Sequence, residues 1–468
     1  MVASIPEQST TGTFNCVIAP HLKNDIVEVG AGKYGRLFPG LSTPTVDDGV
    51  LMALGRSGAV MDDARDDDDV AAGDNHCIPA GFTFLGQFIA HDITADRSLL
   101  QRHEDLSALT NARTPSFNLE AVYVDGPTGS PYVYDMDDPD KLLRGVNDAG
   151  RPDDLPRNSQ GRALVGDPRN DVHQFVANLH VAFLAFHNRV VDHVRARGAA
   201  GDVFTMAQRL VRWHYQWIVA HEFLPLTCGE DIVADILAHG RRYYTYGAAP
   251  YIPVEFADAA YRFGHSQIRA LYRLNERAEG RVFPDCAGGC PLPADHVLDW
   301  RYFFNLDPAR PPQPTRRIDA RLVHPLIDLP AAVVGDTSIP EQHSLAYRDL
   351  QRGRALDLPS GEAIAHVMGV TPLTSDELGL ARLDLGWTGE TPLWYYILKE
   401  SEVRQNGERL GEVGGRIVAE VLLGILDGDP TSYRGPKGDL HWTPALPGEQ
   451  AGHFTMADLL RFAGVADS

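Results

Sequence analysis

Gln87 and His91 stand four residues apart in Gly86-Gln87-Phe88-Ile89-Ala90-His91-Asp92. They lie inside an apolar run, Phe82 to Ile93, that predicts a helix. On a helix this spacing sets the amide and the imidazole on one face. A neutral imidazole there can take a proton from a bound ligand while the amide orients it. Taken alone, His91 would be read as a buried histidine satisfied by its neighbours. A second imidazole changes that reading.

His265, in Arg262-Phe263-Gly264-His265, is a candidate haem-iron ligand, and Gly264 leaves space beside it for a flat ring. Cleaving a peroxide also calls for a positive charge to stabilise the departing oxygen. Gly166-Asp167-Pro168-Arg169-Asn170-Asp171 offers Arg169, in a turn expected to open the helix that ends in His187-Asn188-Arg189.

The elements that position these groups read as helical. His173, His180 and His187 fall seven apart, roughly in line along one helix. Two turns separate side chains by about 10 Å, too far to share one ion, so core or haem-side packing is expected. Further helices are predicted over 207–224, around His265, and over 345–354, 392–401 and 411–426. The stretch from 101 to 168 is rich in Asp, Gly and Pro and reads as loop. A loop that long usually wraps a ligand or an ion. The acidic run from Asp62 to Asp69 reads as a solvated loop.

Composition narrows the function. A chain of 468 residues with 44% hydrophobic residues can bury a large core. Its formal charge of -21 argues against nucleic acid, which needs a basic surface, and against anionic membranes. The start of the sequence lacks the pattern of a secretory signal, and no apolar run of about 18 residues suggests a membrane span. Five cysteines, Cys16, Cys77, Cys228, Cys286 and Cys290, make no disulfide framework, so a cytoplasmic setting is the default, with leaderless export the alternative. Cys286 and Cys290 form the one local pair, a candidate disulfide or half metal site.

GQFIAHD, then GDPRND followed by HNR, then RFGH, then Asp349-Leu-Gln-Arg352, stand in an order that resembles the animal haem peroxidase superfamily in its compact bacterial form. The resemblance covers roughly residues 30 to 430. It implies a mainly α fold with haem buried between helices, a catalytic domain over 76–430, an N-terminal arm over 1–75 and an extension over 431–468. It implies Gln87, His91 and Arg169 on the distal side and His265 as axial ligand. Asp349 falls where the family places an Asn that bonds the proximal imidazole; a carboxylate there is a stronger acceptor. Arg262 and Arg352 match positions near the haem propionates, and Thr94 is counted with the cofactor-binding residues.

Two departures matter. Family members that tether haem by esters use an Asp and a Glu where this chain has Ala90 and Val172, so noncovalent haem b is expected. The family also binds calcium, which the resemblance would place on Asp92, Thr114, Ser116, Asn118 and Glu120, with Asn118 and Glu120 departing from the usual residues. The implied reaction is oxidation of small phenol-like donors, or of bromide or iodide, by hydrogen peroxide. The alternatives are a fatty-acid dioxygenase of the cyclooxygenase type and a catalytically silent haem-binding protein. Dioxygenase relatives carry a radical-forming Tyr three residues before the proximal His. That position is Arg262, and Tyr261 one step away is expected to face elsewhere on a helix. A metal phosphohydrolase built on His91-Asp92 would need further converging ligands. Oligomeric state is not written in the sequence.

Overall fold

The computed structural model describes residues 32–63, 73–95, 110–198, 200–335, 337–380 and 390–466. Cys16, most of the N-terminal arm and the acidic run beyond Asp63 lie outside the described residues. The architecture is mainly helical. Its principal helices are α1 (Asp48–Gly55), α2 (Gly81–Ile93), α3 (Gln174–Ala196), α4 (Val203–Ile218), α5 (Leu345–Ala355), α6 (Leu393–Gln405), α7 (Glu412–Gly428) and α8 (Met456–Ala463).

Helix α2 is buried almost all round, as its near-continuous apolar sequence requires. It packs on α3 through two stacked ring pairs, Phe84 on Phe175 at 4.4 Å and Phe88 on Phe183 at 4.7 Å. Thr94 ends it, with its hydroxyl bonded to the Ala90 carbonyl. Helix α3 starts at His173, whose Nδ1 caps the Val176 N–H at 3.3 Å. It runs seven residues beyond Arg189, past its expected end.

The helix expected over 207–224 is interrupted. Helix α4 stops at Ile218, Val219–Phe223 form a wider π-turn, and a short helix resumes at Leu224–Cys228. Pro225 has no N–H to give to the preceding turn, which accounts for the widening. His265 likewise sits on a 3₁₀ turn, Ala260–His265, rather than a full helix.

Strands are short. Strand β1 (Gly32–Gly35) lies between β2 (Thr110–Asn111), antiparallel to it, and β3 (Ile252–Pro253), parallel to it with Tyr34 opposite Ile252. Asp62 and Asp63 correct the expectation of a solvated acidic loop. Both are buried, pairing in parallel with Leu322-Val323. Asp63 meets Arg316, and Asp62 accepts from His324 Nδ1 at 3.0 Å.

Near the end of the chain, α8 lies on α3. Phe186 packs against Phe454 and Phe462, and Glu222 accepts the Met456 N–H at 2.7 Å. Cys77, Cys228, Cys286 and Cys290 are free thiols.

Candidate active site

One cavity, partly open to solvent, lies between α2 and the 260–265 turn. Gln87, Ala90, His91, Thr94 and Arg169 line one side, and Arg262, Gly264 and His265 the other. A Cβ added at Gly264 would meet no atom within 4 Å, so there is open space beside His265.

His91 is buried, and its Nδ1 lies 2.7 Å from Asn170 Oδ1. The amide of Asn170 lies 3.0 Å from His180 Nδ1. With His180 accepting the amide N–H, the Asn170 oxygen must accept, so His91 carries its proton on Nδ1 and leaves Nε2 as a bare acceptor. Burial, reinforced by the Arg169 charge, pushes the His91 pKa down to about 3.

A second relay fixes Gln87. His173 Nδ1 is occupied by the Val176 N–H, so its Nε2 donates to Gln87 Oε1 at 2.6 Å. The amide nitrogen of Gln87 is then the donor left for the cavity. Burial pushes His173 down to about 3, which keeps it neutral. The two neutral relays together set an acceptor, His91, beside a donor, Gln87.

Arg169 is held by Asp167 through Nε at 3.1 Å and Nη2 at 2.8 Å, and by the carbonyls of His91 and Thr94. Its Nη1 makes no hydrogen bond among the described residues. Burial opposes ionisation of Asp167, but Arg169 and Arg113 outweigh it and hold this carboxyl far below its usual range. Thr94 therefore helps to aim the guanidinium through its carbonyl.

On the opposite side, His265 Nδ1 donates to Asp349 Oδ2 at 2.6 Å, which turns Nε2 toward the cavity. Burial disfavours the Asp349 charge, yet His265 and Arg262 together keep its carboxyl below the usual carboxylate range.

The two arginines expected near propionates both reach a buried carboxylate. Arg262 lines the cavity, but its guanidinium reaches Asp349 at 2.6 Å, Asp258 at 2.7 Å and the Ala257 carbonyl at 3.1 Å. Arg352 sits behind the wall, its Nε 3.2 Å from Asp258. A buried carboxylate that sequence reading missed, Asp258, thus draws both inward.

Tyr34, Tyr261 and His173 are further lining residues that the motifs did not assign to the site. Tyr261 was expected to face away from the cavity. The 3₁₀ winding brings it into the wall, where its hydroxyl donates to the Gly86 carbonyl at 3.2 Å.

The residues expected to hold calcium meet protein partners or solvent. Asp92 accepts the Leu119 and Glu120 N–H groups at 3.2 and 3.1 Å, and Asn118 Oδ1 accepts the same Glu120 N–H at 2.9 Å. Glu120 pairs with Arg113 at 2.9 Å, Ser116 bonds to Asp429, and Thr114 is exposed. Protein donors and acceptors thus engage Asp92, Ser116, Asn118 and Glu120. Among the described residues no cluster of three His, Cys, Asp or Glu could hold a metal ion.

The sequence profile of the family described as animal haem peroxidase matches residues 135–286, a span that holds both Arg169 and His265. Over that span the chain is similar to the animal haem peroxidases. Among relatives, peroxidasin of Drosophila melanogaster is 24% identical over 315 residues, covering 60% of this chain and 19% of that protein. The chain spans less than a third of the length of the curated relatives it matches first. Among solved structures, peroxidase A of Dictyostelium discoideum has a TM-score of 0.61 at 16% identity, over 87% of this chain and 89% of that one. A fatty acid α-dioxygenase of Oryza sativa, a variant solved with palmitic acid, has a TM-score of 0.59 at 14% identity, over 83% and 73%. The fold is shared with both, and helix α2 lies outside the span of the profile match.

Proposed function

We propose that this chain is a haem-dependent peroxidase that uses hydrogen peroxide to oxidise small phenol-like donors or a halide such as bromide or iodide. The observation that carries this reading is the pairing, across one cavity, of a bare His91 Nε2 with a His265 Nε2 that Asp349 orients. The residues fit haem. His265 would hold the iron, and the open space at Gly264 admits a flat ring. Ala90 and Val172 cannot form esters, so the group would be noncovalent haem b.

Haem, when bound, would supply the two oxidising equivalents that peroxide delivers and pass them on as single-electron oxidations of a donor. The chain's residues handle protons and charge. His91 Nε2 accepts the proton of incoming peroxide and returns it to the departing oxygen. Arg169, fixed by Asp167, stabilises the negative charge on that oxygen, and the Gln87 amide orients the ligand by donation. Asp349 holds the proximal imidazole in one tautomer.

Free thiols at Cys77, Cys228, Cys286 and Cys290 support a reducing, cytoplasmic setting, and no helix among the described residues is long and apolar enough to cross a membrane.

The deciding experiment is titration of the protein with hemin, followed by peroxide and then guaiacol or bromide. A Soret band that responds to peroxide and recovers with donor is expected, with the haem extracted by acidic acetone. Failure to bind hemin, or haem retained after extraction, would refute the cofactor assignment.

A second reading, a fatty-acid dioxygenase, draws on Tyr261 in the cavity wall and on the rice α-dioxygenase neighbour. Palmitic acid and oxygen in place of peroxide test it. Oxygen uptake that vanishes in Tyr261→Phe would favour it.

A further inference from the structure

The loop from Arg113 to Tyr123 must be tied to α2, because Asp92 follows His91 directly and any slack there would move the distal base. The resemblance to the animal haem peroxidases implies a divalent cation for this task, and we argue that the residues present do not fit one. A guanidinium stands at this loop. Arg212, projecting from α4, donates through Nε to the Asn118 carbonyl at 2.6 Å and stands over the Tyr123 ring at 5.3 Å. Burial lowers the Arg212 pKa, the charges of Asp92 and Asp429 near the loop oppose that shift, and burial pushes Asp92 itself up to about 7 against the pull of Arg113 and Arg212. From the other side Arg113 binds Glu120 at 2.9 Å, the Gly166 carbonyl at 2.6 Å and Asp167 at 2.9 Å, and so joins the loop to the turn that carries Arg169.

Calcium brings two positive charges to one point and asks for six to eight oxygens around it. Two guanidiniums bring the same total charge, but spread it over planar forks that need only carbonyls and carboxylates in fixed directions. The loop has that form. Its carbonyl at Asn118 faces a guanidinium, its one acidic side chain is paired to another, and Asp92 turns both oxygens to backbone N–H groups. Gln216, one turn after Arg212 on α4, adds a third tie by donating to the Phe117 carbonyl at 3.1 Å.

We propose that Arg212, together with Arg113, replaces the divalent cation in this chain and locks the 113–123 loop to the distal helix without metal.

The test combines metal analysis of the purified holoprotein with thermal unfolding in EDTA and in millimolar calcium. The expected result is less than stoichiometric calcium and the same Tm in both buffers. Arg212→Ala should lower Tm by roughly 5 °C or more. In Arg212→Ala/Asn118→Asp, which restores a cavity and an acidic ligand, calcium should raise Tm where it leaves the wild type unchanged. One calcium per chain in the wild type, lost to EDTA with a fall in Tm, would overturn the proposal. So would an Arg212→Ala variant as stable as the wild type, or a calcium response in the wild type as large as in the double variant. If Arg212→Ala does not fold, the wild-type metal content and its Tm in the two buffers decide the matter alone. None of these readings depends on turnover, so failure here would leave the peroxidase assignment standing.

Discussion

His91 and His265 divide the work at the level of single residues, and their variants should fail differently. His91→Ala should keep the Soret band and lose about 10² to 10⁴ in the rate of peroxide cleavage, since general acid–base catalysis is worth that much. His265→Ala should lose haem or its normal ligation, seen in the same spectra. Asn170 is a positioning residue one step behind. In Asn170→Ala, turnover should fall about ten- to a hundredfold with hemin affinity unchanged. Nitrogen-15 spectra of histidine-labelled, cofactor-free protein should show the His91 proton no longer confined to Nδ1. Unchanged spectra would mean that Asn170 does not set the tautomer.

The motifs held His91, Gln87, Arg169 and His265, because a short stretch of chain carries each. Asn170 and His173 were visible as letters beside Arg169, but their partners, His180 and Gln87, become neighbours only through packing. Asp258 could not be read at all, since nothing local says that two arginines will turn inward to meet it.

At the scale of elements, helix α3 carries its own pH sensitivity. His187 accepts from the Tyr123 hydroxyl at 3.0 Å and donates to the Asp140 carbonyl at 2.8 Å, and burial pushes its pKa down to about 4. In the unfolded chain it titrates near 6.5. Between about pH 6.5 and 4 the unfolded state therefore binds a proton that the folded state refuses. Stability is complete above that window and falls as pH drops through it, by about 1.4 kcal/mol per pH unit. Glu222, which burial pushes up to about 8, works in the opposite sense, so the comparison must be made against a variant. His187→Gln should flatten the dependence of the urea midpoint on pH by about one proton between pH 6 and 5. An unchanged slope would mean that His187 is already charged in the fold.

Helices α2, α5, α6 and α7 were legible from their apolar spacing, which burial on several sides reinforces. The π-turn before Pro225 and the 3₁₀ turn at His265 were not, because periodicity over five or six residues cannot separate one helical winding from another. The paired strands were hidden for another reason. They are two to six residues long, and most join segments far apart in the chain, as Asp62-Asp63 does with Leu322-Val323.

Over the whole molecule, distant segments depend on one another. Helix α8 covers α3 through Phe186, Phe454 and Phe462, and its capping box at Thr455 and Asp458 fixes where it begins. Phe186→Ala should cost about 3 to 5 kcal/mol by leaving a cavity under α8, and a chain ending at 445 should unfold at still lower denaturant. Denaturant midpoints of both would measure this, and equal midpoints for wild type and truncation would make the tail dispensable.

The Tyr261 hydroxyl on the Gly86 carbonyl has a further consequence. It braces the roof of the cavity directly against its floor, from within the protein. A slot propped open in this way exists before anything enters it, so hemin should load in a single phase whose rate rises linearly with hemin concentration. Tyr261→Phe would remove the prop, and a slower, concentration-independent closing step should then appear in the loading trace.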